Sequence, residues 1–482
     1  METQKQCVPV QDSQMSACRL QGRGFVCVLV ALLLTLLLEA LDQSIVDTAM
    51  PQIVASLGGI EYYSWVVNGY LVAIATVIPV VGKLSDVFGR KWFLVSGVTL
   101  FLLGSLLAGL AQTIEQLIAA RVIQGLGAGV GIALVVVVVA DIFPPEKRGR
   151  WQAIFGSVYG CANLLGPTLG GWLTDHGSLL PSVVMPSTRW RWIFYINLPV
   201  GMLALVLLLI FLPVRFSHQE VRSSNAATVK QIDICGALLI MLATVCMLVG
   251  LSTSTHFTSG MILAALVCYG LFLFVERRAK DPVIPPRIFR NRIFTIASIL
   301  NLLQGVILFN LTIYLPLFLQ EVLKVSATTS GALLTPMLVS SNLASLLAGF
   351  AAKGLKGYRR IVIGGALAMS IATFLLAQFV FTASLFSLLS IMVLAGLGLG
   401  VFFSMAPLAA QNALSPSQLG VGMSVMRYLG QLGPTLGVAL VGMVVKSRLS
   451  VSLPVALQGG FQVLFAISLL VLVLAVFLRE KS

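Results

Sequence analysis

The chain is short of charge. Only 10% of its 482 residues are Asp, Glu, Lys or Arg, against roughly a quarter in a soluble domain. That scarcity excludes a water-soluble enzyme, a disordered chain and a nucleic-acid binder. Histidine is scarcer still: His176, His218 and His256 are scattered without metal-ligand spacing, so no metal or other cofactor is implied. The seven cysteines sit in the N-terminal tail or inside apolar runs and give no disulfide framework. The first apolar run, residues 25–49, is too long and too rich in carboxylates to be a cleaved signal. No long polar stretch suggests a soluble domain.

What fills the chain instead is apolar: 58% of all residues, with a mean hydropathy of +0.99. Long apolar runs mark spans at 25–49, 62–81, 92–111, 116–140, 152–173 and 191–212. Two more lie at 232–251 and 257–276, and six at 293–319, 328–351, 360–380, 384–406, 418–445 and 460–478. The runs are continuously apolar, not alternating, which predicts helices and not a barrel. The expected fold is an all-α polytopic membrane protein of fourteen spans. Of the 31 basic residues, 24 fall in the tails and even-to-odd loops and five on the other side. That imbalance places both termini in the cytoplasm.

The chain also repeats itself. GPTLG occurs at 166–170 and again at 433–437, and GLGAGV at 125–130 is echoed by GLGLGV at 396–401. The Gly82 and Asp86 positions map onto Gly349 and Lys353 at the first offset. Two six-span halves follow, with spans 7 and 8 inserted between them. The expected units are a tail (1–23), a first bundle (24–212), a two-span insertion with linkers (213–290), a second bundle (291–478) and a tail (479–482). Parallel six-span repeats are the plan of a rocking transporter.

Several motifs carry a family resemblance. GKLSDVFGRK (82–91), RVIQGLGAG (121–129) and GSVYGCANLLGPTLGG (156–171) resemble signatures of the major facilitator superfamily, the last one typical of antiporters. LDQSIVDTAMP (41–51) and WRWIFYINLPVG (190–201) are similar to signatures of its fourteen-span drug:proton antiporters, the QacA/EmrB-like branch. The resemblance runs in order through spans 1 to 6 and implies efflux without naming the substrate. It implies that Gly82, Asp86, Gly89, Arg90 and Asp141 form a cytoplasmic latch. It also implies that the bend at Gly156, Gly160, Gly166, Pro167, Gly170 and Gly171 shapes the central cavity. Against it stands a long outer loop, HGSLLPSVVMPSTR (176–189), whose apolar middle could cap the outer vestibule.

The residues have readings of their own. Gly82 and Gly89 would allow a tight turn between spans 2 and 3, and the charges around them could be no more than topology signals. The span 5 glycines could serve helix packing alone. Most informative are the intramembrane charges, because a charge at mid-bilayer costs about 2.5–3.5 kcal/mol on insertion scales. Glu39 and Asp42 share a face of span 1, and Arg121 of span 4 should lie at the depth of Asp42. These three are the candidate proton-coupling residues, the alternative being a permanent Asp42–Arg121 packing pair. Asp47, nearer the outer end, should be solvated. The candidate substrate cavity comprises Glu39, Trp65, Tyr70, Gln124, Asn301, Gln304, Asn310, Asn342 and Arg427. The expected partners are protons, membrane lipids and small amphipathic compounds, for a monomer in a bacterial inner membrane powered by the proton gradient. A lipid exporter on the same scaffold is the competing reading; an embedded enzyme or receptor would need a catalytic cluster or soluble domain that the sequence lacks.

Overall fold

The computed structural model describes residues 23–142, 145–177, 186–213, 234–252, 257–278, 284, 286–351, 358–379, 385–415 and 418–478. All of the regular structure among them is helical. The first half contains α1 (Arg23–Leu57), α2 (Tyr63–Phe88), α3 (Arg90–Leu110), α4 (Ile114–Ile142) and α5 (Pro145–His176). A 3-10 turn, Pro186–Arg191, leads into α6 (Trp192–Tyr195) and α7 (Asn197–Phe211), which together fill the place of span 6. The inserted pair is α8 (Ile234–Ser252) and α9 (Phe257–Arg278). The second half holds α10 (Arg292–Leu317), α11 (Ala327–Ala351), α12 (Tyr358–Phe379), α13 (Leu385–Ala413), α14 (Leu419–Arg448) and α15 (Leu453–Phe477).

Eleven helical segments among the described residues are long and apolar enough to cross a bilayer. They match the expected spans except 62–81, 152–173 and 232–251. Those three runs fall on α2, α5 and α8, of 26, 32 and 19 residues. The eleven cross by length and composition, and the chain is a multi-pass membrane protein.

The duplication read from the sequence is visible in packing. Helix pairs α1–α5, α2–α4, α3–α4, α3–α7 and α1–α7 of the first half recur as α10–α14, α11–α13, α12–α13, α12–α15 and α10–α15 of the second. The glycine motifs explain the close approach. A methyl on Gly125 would strike the carbonyl of Tyr70 in α2, and one on Gly396 that of Met337 in α11. Two residues on, Gly127 abuts the backbone of Phe101 in α3 and Gly398 that of Met369 in α12. The same small residues at the same register thus seat each fourth helix of a half against two neighbours. Backbones in contact gain dispersion that bulkier interfaces forfeit, which is how helices associate in lipid.

The halves meet along two seams, α2–α14 and α5–α11, with α1 and α10 crossing between them. The inserted helix α8 packs on both α2 and α14. Met247 of α8, Ile262 of α9, Val72 of α2 and Leu436 of α14 gather around Ala439, and the Thr244 hydroxyl lies 3.1 Å from that of Tyr428. The insertion is therefore a cover on one seam.

Candidate functional site

The centre of the first half holds a buried polar cluster. Asp42 on α1 and Arg121 on α4 are 0% and 1% exposed, and they form the ion pair expected from their depth. One carboxylate oxygen of Asp42 accepts from Arg121 Nη1. The other accepts from Gln124 Nε2 at 2.7 Å and Asn197 Nδ2 at 2.8 Å. Ser105 Oγ on α3 accepts from the same two amides, at 2.7 and 3.0 Å. The guanidinium donates to Gln124 Oε1 at 2.7 Å and lies 4.0 Å from the centre of the Tyr70 ring. Four helices and the start of α7 converge here. A buried ion pair survives in an apolar setting only when its remaining lone pairs and protons are satisfied, and the cluster does that for Asp42.

Gln124 and Tyr70, expected in the cavity, are buried parts of this cluster. Asn197 and Ser105 were not singled out from the sequence. Asn197 had a signal, being the one amide in the apolar WRWIFYINLPVG stretch; Ser105 had none.

Glu39 lies one turn from Asp42 and is 4% exposed. Its situation differs: the Oε2 atom is buried without a hydrogen-bond partner. The carboxyl projects at α4, where a methyl on Gly131 would collide with Oε1. Gly131 is thus the seat for this carboxyl. Asp47 corrects the expectation of a solvated residue. It is 5% exposed, covered where α1 meets α10, with the Thr312 hydroxyl as its hydrogen-bonding neighbour.

Contacts between the halves concentrate at the end carrying the α1–α2 and α10–α11 connections. Gln320 Nε2 donates to the carbonyl of Thr48 at 2.8 Å, and the Tyr63 hydroxyl to that of Ile313 at 2.9 Å. The span 5 motif has two working faces. Gly166 and Gly170 accept Ser44 and Ile45 of α1, while Gly171 meets Ala327 of α11. Gly331 of α11 in turn rests on the carbonyl of Pro167. Further down α5, Gly160 has Asn342 as its neighbour, and Asn342 is exposed. At the far end of α11, no described residue lies within 4 Å of the place a methyl on Gly349 would take. The close α5–α11 contacts among the described residues thus gather toward the end where α5 finishes and α11 begins.

The remaining candidates are dispersed. Asn301 donates to the carbonyl of Met426 at 2.8 Å, and Asn310 packs beside Gly437, so both serve the α10–α14 contact. Gln304 is buried in α10, Trp65 is half-buried in the first turn of α2, and Arg427 is exposed on α14. In the 82–91 segment, Gly89 makes the turn alone, with φ of 92°. Gly82 lies inside α2, where the sequence suggested part of the turn. Arg90 reaches the carbonyl of Val137 on α4 at 3.4 Å. Asp86 and Asp141 sit on α2 and α4, but their side chains, and the surroundings of Gly82 and Gly156, lie outside the described residues. So do residues 178–185 of the outer loop.

Comparison with known proteins agrees with this geometry. The pattern of the Major Facilitator Superfamily matches residues 32–274 and 294–482. Multidrug resistance protein 3 of Bacillus subtilis (strain 168) is 36% identical over 425 residues, covering 86% of this chain and 79% of that protein. Multidrug transporter protein MdtP of the same organism is 32% identical, covering 86% and 74%. Among solved structures, a bacterial homologue of the human lysosomal transporter Spinster, inward-facing and occupied, superposes with a TM-score of 0.67. It covers 95% of this chain and 97% of that one at 16% identity, a likeness of fold.

Proposed function

Since this chain belongs to the Major Facilitator Superfamily and is a transporter, not an enzyme, we propose that it is a proton-coupled exporter of amphipathic, cationic or lipophilic compounds. In this reading it belongs to the fourteen-span drug:proton antiporter branch, works as a monomer in a bacterial inner membrane and keeps both ends in the cytoplasm. The similarity to two proteins named for multidrug transport supports export of foreign compounds. Alternating access is supported by two halves of matching helix packing that meet along two seams. With the basic loops inside, the end carrying the α1–α2 and α10–α11 connections is the outer one.

The observation that carries proton coupling is the contrast between two carboxyls on one helix. Asp42 is fully engaged by Arg121, Gln124 and Asn197. Glu39 keeps a buried oxygen without a partner. A carboxyl in apolar surroundings with no fixed counter-charge can trade a proton for a cation as access changes, and an intramembrane ionisable group is a functional candidate for that reason. Asp42 and Arg121 anchor the helix that presents it. The test is substrate-induced proton release from the purified transporter, across a panel of dyes, antibiotics and lipids. Release on adding cationic dyes, lost in Glu39→Gln, is expected. Release with lipids alone would favour lipid export, and no release with any compound would refute coupling.

A further inference from the structure

Helix α5 ends in the first half where α11 begins in the second. Asp175, in the last turn of α5, reaches across. Its Oδ2 accepts the backbone N–H of Thr328 at 2.8 Å and the Thr328 hydroxyl at 2.5 Å. Its Oδ1 accepts the Gln52 amide of α1 at 3.3 Å. The first turn of α11 is thus capped twice. Ser326 takes the N–H of Thr329 at 3.1 Å from within the segment, and Asp175 takes that of Thr328 from the other half.

The position of this carboxylate is unfavourable on its own helix. The C-terminal end of a helix carries partial negative charge and its N-terminal end partial positive charge. Asp175 sits at the wrong end of α5 and the right end of α11. Arg189 relieves the end of α5 through the backbone carbonyl of Asp175, at 2.7 Å, so the carboxylate itself is left to face α11. Gln52 serves it from within its own half, but it reaches the two Thr328 donors only while α5 and α11 are together. Beneath it the contact has little slack: Gly171 lies on Ala327, Gly331 on Pro167, and the hydroxyls of Thr168 and Thr335 are 3.2 Å apart.

We infer that Asp175 is a helix cap supplied by one half to the other, a latch that holds the outer ends of α5 and α11 closed and must release before substrate leaves. It rests on the alternating-access reading above, but its test reads the gap directly and needs neither substrate nor proton gradient. The experiment places spin labels at His176→Cys and Leu323→Cys, both exposed sites, in a protein whose native cysteines are replaced. Distances are then measured in lipid nanodiscs. The unaltered latch should give one short distribution. Asp175→Ala should add a longer one and lower the closed-to-open ratio about ten-fold, the size of a lost helix cap. Asp175→Asn, which keeps an acceptor but no charge, should fall between, and Thr328→Val should shift the same way by less. Should Asp175→Ala fail to accumulate, those two milder variants carry the test. Distances unchanged in the variants that fold, with or without a lower melting temperature, would overturn the latch and leave Asp175 a structural cap. A wider gap in a protein that transports nothing would uphold the latch and count against the exporter.

Discussion

Arg121 sits at the centre of the first half, and the surrounding side chains are arranged around its charge. Its partner Asp42 was readable from depth alone, since each residue lies a similar distance from the outer end of its span. The convergence of Ser105 and Asn197 on the pair was not readable, because side chains from α3 and α7 meet there only through tertiary packing. This division gives opposite expectations for two neutralising changes. Asp42→Asn strands the guanidinium, and breaking a buried pair costs about 3–5 kcal/mol. The variant should therefore melt well below the parent in detergent and lose transport. Glu39→Gln breaks no hydrogen bond at Oε2, so its melting temperature should stay near the parent's. Its efflux driven by a pH gradient should fall, more for cations than for neutral compounds. A parent-like gradient response in Glu39→Gln would return that residue to packing. Gly131→Ala gives a third reading of the same site. Its methyl would occupy the carboxyl's place, so it should reproduce the transport loss of Glu39→Gln while leaving position 39 chemically intact.

Among the elements, the span 5 helix shows what sequence pattern could and could not say. Its glycines announced close packing, but not that two faces serve two partners, α1 within the half and α11 across the seam. That assignment depends on how the halves close. The α2–α3 turn was legible through Gly89, whose positive φ only glycine adopts readily. Gly82 misled because a glycine within a helix and a glycine in a turn look alike in a Gly-rich chain. Arg90 bridges the turn to α4, so Arg90→Ala should loosen the cytoplasmic end and raise maleimide labelling of cysteines introduced there. Unchanged labelling with normal transport would leave the motif a topology signal. The outer loop is anchored at its far end, where Arg191 donates to the carbonyls of Gly109 and Ala111. Deleting residues 178–185 while keeping Arg189 and Arg191 should preserve proton coupling and speed release of large lipophilic substrates relative to small cations. Equal rates for both sizes would mark the loop as inert.

For the whole molecule, the two-bundle plan was legible because a duplicated chain repeats its packing motifs at a fixed offset. The placement of the inserted pair was not, since uniformly apolar helices carry no mark of the neighbour they choose. None of the paired contacts that define each half uses α8 or α9. A chain with 214–283 replaced by a short linker should therefore still fold as two bundles and elute as a monodisperse particle. Its thermal stability should drop, since Val72 and Leu436 lose their cover.

That cover makes the two seams mechanically unequal. One edge of the transporter is bound like the spine of a book, by α8 gripping a board on either side. The opposite edge, α5 against α11, is the fore-edge, flanked by bare leucines such as Leu165 and Leu347. If the halves turn as proposed, the lipid they displace lies chiefly along that free edge. Acyl-chain packing on that one side is then expected to set how readily the transporter opens, and transport rates in vesicles of differing acyl-chain packing check it.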